Sequence, residues 1–425
     1  MPPVARSETT KRRGPRRGSL RWLAAAAAAA TFAVLFLGGL SSERSDAGLP
    51  KEARAAALTR DGLEHLARVR ETGDVALYPL AETAFEEALR LEPGNLYATA
   101  GLAALAASRH RFDEARLIAK HAIALSPETA APYGILGDAL VETGRYRAAF
   151  AAFDRMVALK PSASGYARVS YARELLGDTE GAIEAMKLAV SAAAPTAEPA
   201  AWSLVQLGNL ELGRGKLVRA ERAFRSALAR LPGYAPALAG RATAQRWRGR
   251  PGEAARLYAA ALARSTVPDY AVGLGDAYEA QGREREAERA WQRAERLEES
   301  FARYGGRNQL ETALFDLDHD RGSFEDALRR VRIGYTERPS IEGEHALAWA
   351  LYKNGRCEEA RVHSVRALRL GTKDTGAMLH RSAIEECLGH EAAAGEWRKR
   401  ALAANPYALF TVGSLLQSRT GAHDR

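Results

Sequence analysis

Three aspartates near residue 318 have the alternating spacing of a calcium-binding loop. Asp316, Asp318 and Asp320 are followed by Gly322. Such a loop needs its glycine one place earlier, and it needs a bidentate glutamate at its last position, where this chain has Ala327. We therefore interpret the aspartates as a solvated face and Gly322 as the end of a helix, and we expect no metal site.

Residue patterns of the common hydrolases and nucleotide-binding enzymes do not occur in the sequence. The nine histidines are scattered, and no two of them stand four residues apart beside a glutamate, as a zinc hydrolase would require. The sequence also lacks a glycine-rich phosphate loop and a Gly-x-Ser-x-Gly nucleophile elbow. We therefore predict a protein that is not an enzyme and needs no cofactor.

The two cysteines stand beside a glycine that recurs along the chain. Cys357 follows Gly355 by two residues, and Cys387 precedes Gly389 by two. Neighbouring helices pack about 9 Å apart, whereas a disulfide needs Cα atoms within about 7 Å. Cys357 and Cys387 are therefore candidates for a disulfide if the protein is exported, and for two free buried thiols otherwise.

Positive charge is concentrated at the N-terminus. Residues 1–21 contain seven basic residues and one acidic residue, a net charge of +6 out of +9 for the whole chain. The rest of the chain is nearly balanced, and it lacks the charge excess that usually drives binding to phosphates. We therefore expect no nucleic-acid partner. A regulator whose basic arm contacts DNA is the alternative, and it is disfavoured because an apolar run follows the arm where a DNA-binding tail would more often continue into polar sequence.

An apolar run follows this basic segment directly. Residues 22–42 contain no charge, and about 20 apolar residues suffice to span a bilayer as a helix. This order is typical of a signal peptide or of a transmembrane anchor with a cytoplasmic n-region at 1–21. Small residues at Ser45 and Ala47 also permit cleavage before Gly48, and a buried core helix is a third interpretation. We expect a single-pass protein of the cell membrane, with a linker at 43–51 and the remaining chain outside the cytoplasm, or a secreted protein after cleavage.

Beyond the linker, an alanine recurs ten times between Ala81 and Ala394 at intervals of 33 to 40 residues. A second small residue usually follows seven positions later, and two small residues two turns apart let a neighbouring helix approach closely. Between them stands a larger side chain such as Phe85, Phe153 or Phe224. A glycine precedes the alanine by five residues in eight units, where a first helix must end, and prolines close the second helices.

The units resemble the tetratricopeptide repeat in their first helices, their paired alanines and their closing prolines. The first-helix residues that carry the resemblance are Tyr133, Leu136, Gly137, Leu140, Leu204, Leu207 and Gly208. The resemblance covers about residues 52–406, and segments 166–190 and 308–319 look like those of bacterial exported tetratricopeptide proteins. It implies an all-α fold, a right-handed α-solenoid of helical hairpins, that acts as a scaffold for protein or peptide partners.

Irregular intervals predict breaks in this array. A 40-residue interval divides repeats 1–7, at 52–304, from repeats 8–10, at 305–406, and a loop is predicted at 191–199. Repeat one carries an insertion at 71–80. A capping helix is predicted at 407–418, followed by a disordered tail at 419–425.

The inner wall of such a solenoid is formed by the first helices, and aromatic side chains there are candidate anchors for a bound peptide. The residues at the inner positions are Tyr97, Trp202, Asn209, His345, Trp349 and Tyr352. They also have two alternative roles: covering gaps between helices, or stacking on sugars in a glycan binder or an accessory of an envelope enzyme. The carboxylate clamp of some family members is not expected, because Val205 and Gly240 replace two of its polar residues.

Overall fold

The computed structural model describes residues 50–193 and 197–411, which form twenty α-helices and no β-strand. Consecutive helices pair into ten antiparallel hairpins, one for each predicted repeat. The first helices are α1 (Lys51–Thr72), α3 (Leu96–Ser108), α5 (Ala130–Glu142), α7 (Ala163–Leu175), α9 (Ala197–Gly213), α11 (Ala235–Trp247), α13 (Pro268–Glu279), α15 (Gln309–Asp318), α17 (Ile341–Lys353) and α19 (Thr375–Cys387). The second helices are α2 (Tyr78–Leu91), α4 (Phe112–Leu125), α6 (Tyr146–Leu159), α8 (Thr179–Ala192), α10 (Leu217–Arg230), α12 (Pro251–Leu262), α14 (Glu284–Arg303), α16 (Phe324–Glu337), α18 (Cys357–Ala367) and α20 (Glu391–Ala404).

In the part of the chain that the structure describes, no helix is both long enough and apolar enough to cross a bilayer. The predicted signal or anchor at 22–42 lies outside the described residues, as do the N-terminal segment before it and most of the predicted capping helix. The described part of that capping helix is a short 3-10 helix, Ala408–Thr411.

The turn inside each hairpin reverses the chain through a residue in the left-handed backbone region. Gly144 and Gly355 have φ values of 71° and 73°, which side chains with a Cβ rarely adopt. In repeat two His110 takes this position with a φ of 57°. All eight predicted turn glycines have positive φ, so this prediction is confirmed; they are Gly144, Gly177, Gly215, Gly249, Gly282, Gly322, Gly355 and Gly389.

The core of most hairpins is built around one larger side chain of the second helix, whereas repeats two, nine and ten have Ala119, Ser364 and Arg398 at this position. Phe224 of α10 is completely buried, and it lies against Gly208 of its own hairpin and Gly240 of the next. A Cβ atom added at Gly208 would lie 2.5 Å from the Phe224 ring. The ring therefore fits only because both first helices present a glycine to it.

Two predicted features differ in the structure. The loop at 191–199 is shorter than predicted, because α9 already begins at Ala197 and includes Pro199 in its first turn, where a proline costs no helical hydrogen bond. The insertion at 71–80 is partly helical, since it holds a 3-10 turn at Val75–Leu77 and the start of α2.

A cavity of about 350 Å³ lies between repeats seven and eight, at the 40-residue interval. Hydrogen bonds cross this junction: Asn308 donates to the backbone carbonyl of Glu298 at 2.9 Å, and Arg321 pairs with Glu295 at 2.9 Å. Burial raises the pKa of Asp269 to about 7 and that of Glu298 to about 8 in the cavity wall. The division into 52–304 and 305–406 stays a prediction.

The solenoid closes on itself after about six repeats. Contacts join residues that are 193 to 197 positions apart. The backbone N–H of Thr266 donates to the carbonyl of Thr72 at 2.7 Å, and the side chain of Asn405 donates to the carbonyl of Leu212 at 3.3 Å. Repeats 6–10 therefore lie on repeats 1–5 as a second superhelical turn. We call the line of contacts between the two turns the seam.

A buried ion cluster lies in the seam. Arg338 from the second turn donates to Glu142 from the first at 2.8 Å, and both side chains are almost completely buried. Arg338 also pairs with Glu311. Burial alone would raise the pKa of Glu311, but the adjacent Arg338 cation holds it below its usual range. Because these charges are shielded from water, each depends on its partner.

We predict that Gly208→Ala destabilises the protein by about 1–3 kcal/mol, because the added methyl group overlaps the Phe224 ring. The matched control is Gly213→Ala in the same helix, where an added Cβ meets no atom within 4 Å. The control should change the unfolding free energy by less than about 1 kcal/mol, in the stabilising direction. Urea denaturation of the two variants tests this, and equal effects would refute the close approach.

Replacing Arg338 by Met should cost about 3–5 kcal/mol, because it leaves Glu142 buried without its cation. The control is Arg329→Met in α16, whose ion pair with Asp326 is exposed and contributes less than about 1 kcal/mol. Hydrogen exchange at the Arg307 amide, which donates across the seam to Arg109, should accelerate only in the Arg338 variant. Unchanged exchange there would show that the cluster does not hold the turns together.

Candidate functional site

The first helices of the two turns surround an interior chamber of about 260 Å³. Its walls come from α7 and α9 of the first turn and from α11, α15, α17 and α19 of the second. The second helices lie outside this ring. The chamber is therefore the part of the concave surface that the stacked turns leave open.

Two of the six predicted contact residues, Asn209 and His345, line this chamber together. They belong to repeats five and nine, and the stacking of the turns brings them to one site. His345 Nε2 forms a hydrogen bond of 2.8 Å with Nδ1 of His380, which also lines the chamber. A role for Asn209 and His345 in binding stays a prediction.

Trp349 is buried, so the prediction that its ring is exposed on the groove is wrong. Only 2% of the residue is exposed. The next first helix covers it, because the His380 ring stacks on the indole at 3.7 Å between ring centres. Tyr352 stacks on it at 4.9 Å, and the indole Nε1 donates to Asp318 at 2.9 Å. Trp349 therefore holds together repeats eight, nine and ten.

The remaining predicted contact residues do not line the chamber. Trp202 is buried in a core cluster with Val205 and Tyr234, and its predicted exposure is also wrong. Tyr97 is 58% exposed at the start of α3. Tyr352 is half-buried and packs on the core of repeats eight to ten. Gap-filling, the alternative role of these aromatic residues, therefore describes Trp202 and Trp349.

Two hydrogen-bond donors in the chamber wall have no acceptor among the described residues: Tyr171 Oη and Trp247 Nε1. Burial raises the pKa of Tyr171 well above its usual range, so the phenol keeps its proton. Burial, together with the charge of Glu142, raises the pKa of Glu342 to about 8. Such a wall suits a ligand with acceptors, for example the carbonyl groups of a polypeptide.

The aspartates of the calcium-like pattern diverge to three different partners. Arg330 pairs with Asp316, Trp349 donates to Asp318, and Lys353 donates to Asp320 at 2.5 Å. They are half-buried and paired, so their interpretation as a solvated face is wrong. Within the described ranges, no three histidine, cysteine or acidic side chains are placed to hold a metal ion.

A disulfide joins Cys357 at the start of α18 to Cys387 at the end of α19, with the Cα atoms 6.3 Å apart. It links the ninth and tenth hairpins at one edge. Closing a loop of this size stabilises a folded chain by about 3–4 kcal/mol in the chain-entropy account. Disulfides form and persist mainly in oxidising compartments.

Sequence reasoning missed three chamber residues, Tyr171, Trp247 and His380. A signal for His380 was present, because it follows His345 by 35 residues, close to one repeat. No such period indicates Tyr171 and Trp247, which line one chamber only because the two turns are stacked.

A family model described as tetratricopeptide repeat matches residues 111–164, 135–198 and 240–302. The matched segments lie in the hairpins from α4 to α14. No curated protein is detectably similar to the chain.

Solved structures are similar to the chain at low sequence identity. A tetratricopeptide repeat protein from Parabacteroides merdae has a TM-score of 0.40 at 16% identity, over 60% of this chain and 98% of its own. Yeast Tom70 has a TM-score of 0.44 at 15% identity, over 90% and 71%. The pilF protein of Pseudomonas aeruginosa has a TM-score of 0.39 at 15% identity, over 48% and 91%.

The ten helical hairpins, their left-handed turn glycines, their aromatic cores and the matched family model agree. Residues 111–198 and 240–302 therefore consist of tetratricopeptide repeats, and the described helices outside these segments form hairpins of the same kind.

Proposed function

We propose that this protein is a non-catalytic scaffold that binds an extended protein segment in its interior chamber. Tetratricopeptide repeats are protein-interaction modules. The observation that carries the proposal is the chamber itself, where first helices of both turns present Asn209, His345 and His380 together with the unpaired donors of Tyr171 and Trp247. Unpaired donors cost free energy in the empty protein. Carbonyl groups of a bound chain would satisfy them.

The glycan-binding alternative has less support from the same residues. Sugar stacking needs an aromatic ring with a free face. Trp202 and Trp349 are buried, and the Trp349 ring is stacked on other rings. Of the predicted aromatic residues, Tyr97 offers the most exposed surface. A glycan would therefore meet one exposed ring on the predicted inner face, which is a weak stacking platform.

We further propose that the protein is exported and held in the membrane by residues 22–42. Two observations support this proposal. The basic-then-apolar order of residues 1–42 is that of a membrane anchor. The disulfide between Cys357 and Cys387 is of a kind that persists outside the reducing cytoplasm.

Site-specific photo-crosslinking tests the scaffold proposal. A photoreactive amino acid replaces Asn209 or His345 in the chamber, and the exposed Arg289 of the second helix α14 serves as the control position. After irradiation in cells, we expect one protein partner to be crosslinked from both chamber positions and not from the control. The double variant Asn209→Ala and His345→Ala should recover this partner about fivefold less at an unchanged melting temperature, as the loss of two moderate contacts predicts. Undiminished recovery would refute binding in the chamber.

Thiol alkylation followed by intact-mass measurement tests the export proposal. We expect protein taken from native membranes and denatured without reductant to have no alkylated thiol, and reduced protein to have both cysteines alkylated. Deleting residues 22–42 should keep the chain in the cytoplasm and leave both thiols reactive. Two reactive thiols in the undeleted protein would place it in a reducing compartment.

A further inference from the structure

Repeats five and six carry a concentration of positive charge that the whole-chain balance conceals. Residues 214–264 contain twelve basic and two acidic residues, a net charge of +10. Eight of the basic side chains are exposed: Lys216, Arg219, Arg222, Arg225, Arg230, Arg250, Arg256 and Arg264. Most of them belong to the second helices α10 and α12, on the outside of the solenoid. This surface, which we call the basic strip, is therefore separate from the interior chamber.

Most cations of the basic strip have no close carboxylate partner among the residues that the structure describes. Arg225 pairs with Glu221 at 3.0 Å, and Arg219 approaches Glu211 at only 3.8 Å. Among the described residues, no carboxylate pairs with Arg222 or Arg230. Unpaired exposed arginines keep their hydrogen-bond donors free for a carboxylate or phosphate from outside.

The basic strip contains a shallow groove of about 500 Å³. Arg222 and Arg225 of α10 line it, and Arg248 from the end of α11 closes one side. Its floor is apolar, with Ala229 and with Val218, which is 70% exposed. Charged walls around an apolar floor fit an amphipathic partner.

We propose that the basic strip docks an acidic segment of another protein. Carboxylates of such a segment pair with the arginines, and its aliphatic side chains cover Val218. A nucleic acid would supply phosphates but no aliphatic side chains to cover the apolar floor at Val218. A bilayer is flat, whereas α10 lies on a convex wall and would touch it along a single helix.

Binding of a labelled acidic peptide to the full-length protein tests this proposal. The probe is a fluorescein-labelled peptide of glutamate and leucine, and the same peptide with glutamine in place of glutamate is the reference. We expect the acidic peptide alone to bind, with an affinity that falls as salt concentration rises. The variant Arg222→Gln with Arg230→Gln should bind about fivefold more weakly, because two exposed ion pairs are lost.

The matched control is Arg285→Gln with Arg293→Gln, which removes two exposed arginines from the mixed-charge helix α14. Its affinity should stay within about twofold of that of the unmodified protein, because these two arginines lie outside the basic strip. The basic tail at 1–21 is present in every variant and therefore does not contribute to a difference between them. Equal weakening in both variants would overturn the assignment to the basic strip. The proposal would also be overturned if a single-stranded oligonucleotide, or vesicles of phosphatidylglycerol, bound through Arg222 and Arg230 while the acidic peptide did not. Failure here leaves the chamber proposal intact, because crosslinks from Asn209 do not depend on these arginines.

Discussion

Phe224 lies between Gly208 of its own hairpin and Gly240 of the next, and the same arrangement places Phe85 against Gly62 and Gly101. The ring can lie this close only because neither first helix presents a side chain there. This contact sets the distance and angle between consecutive hairpins. A small change of angle, repeated at every hairpin, would alter the number of repeats in a superhelical turn.

The contact between the two superhelical turns distinguishes this molecule from an open row of hairpins. Because about six repeats complete one turn, the segments that join consecutive hairpins of the second turn contact the turns inside the hairpins of the first. These contacts bury Arg338 and Glu142 together and bring Asn209 into the same chamber as His345. The chamber, the seam and the buried ion cluster therefore have one geometrical cause.

Local features were predictable from the sequence because they depend on one residue type at a fixed place in each repeat. The turn glycines, the buried Phe85, Phe153 and Phe224, and the two cysteines that prove to be paired belong to this class. Trp349 was misplaced because its burial depends on His380 in the following repeat, whose ring covers it. The seam was not predictable, because the superhelical turn depends on small rotations that no repeat consensus specifies.

An open solenoid extends under load because each unit touches only its neighbours. Here Thr72 is hydrogen-bonded to Thr266 and Leu212 to Asn405, so the two superhelical turns are in direct contact along the axis. Tension along the axis would act first on these contacts between the turns, before any hairpin is distorted. A protein fixed at one end and pulled at the other would thus stay short until the contacts of the seam break. It would then lengthen abruptly while its hairpins remain folded.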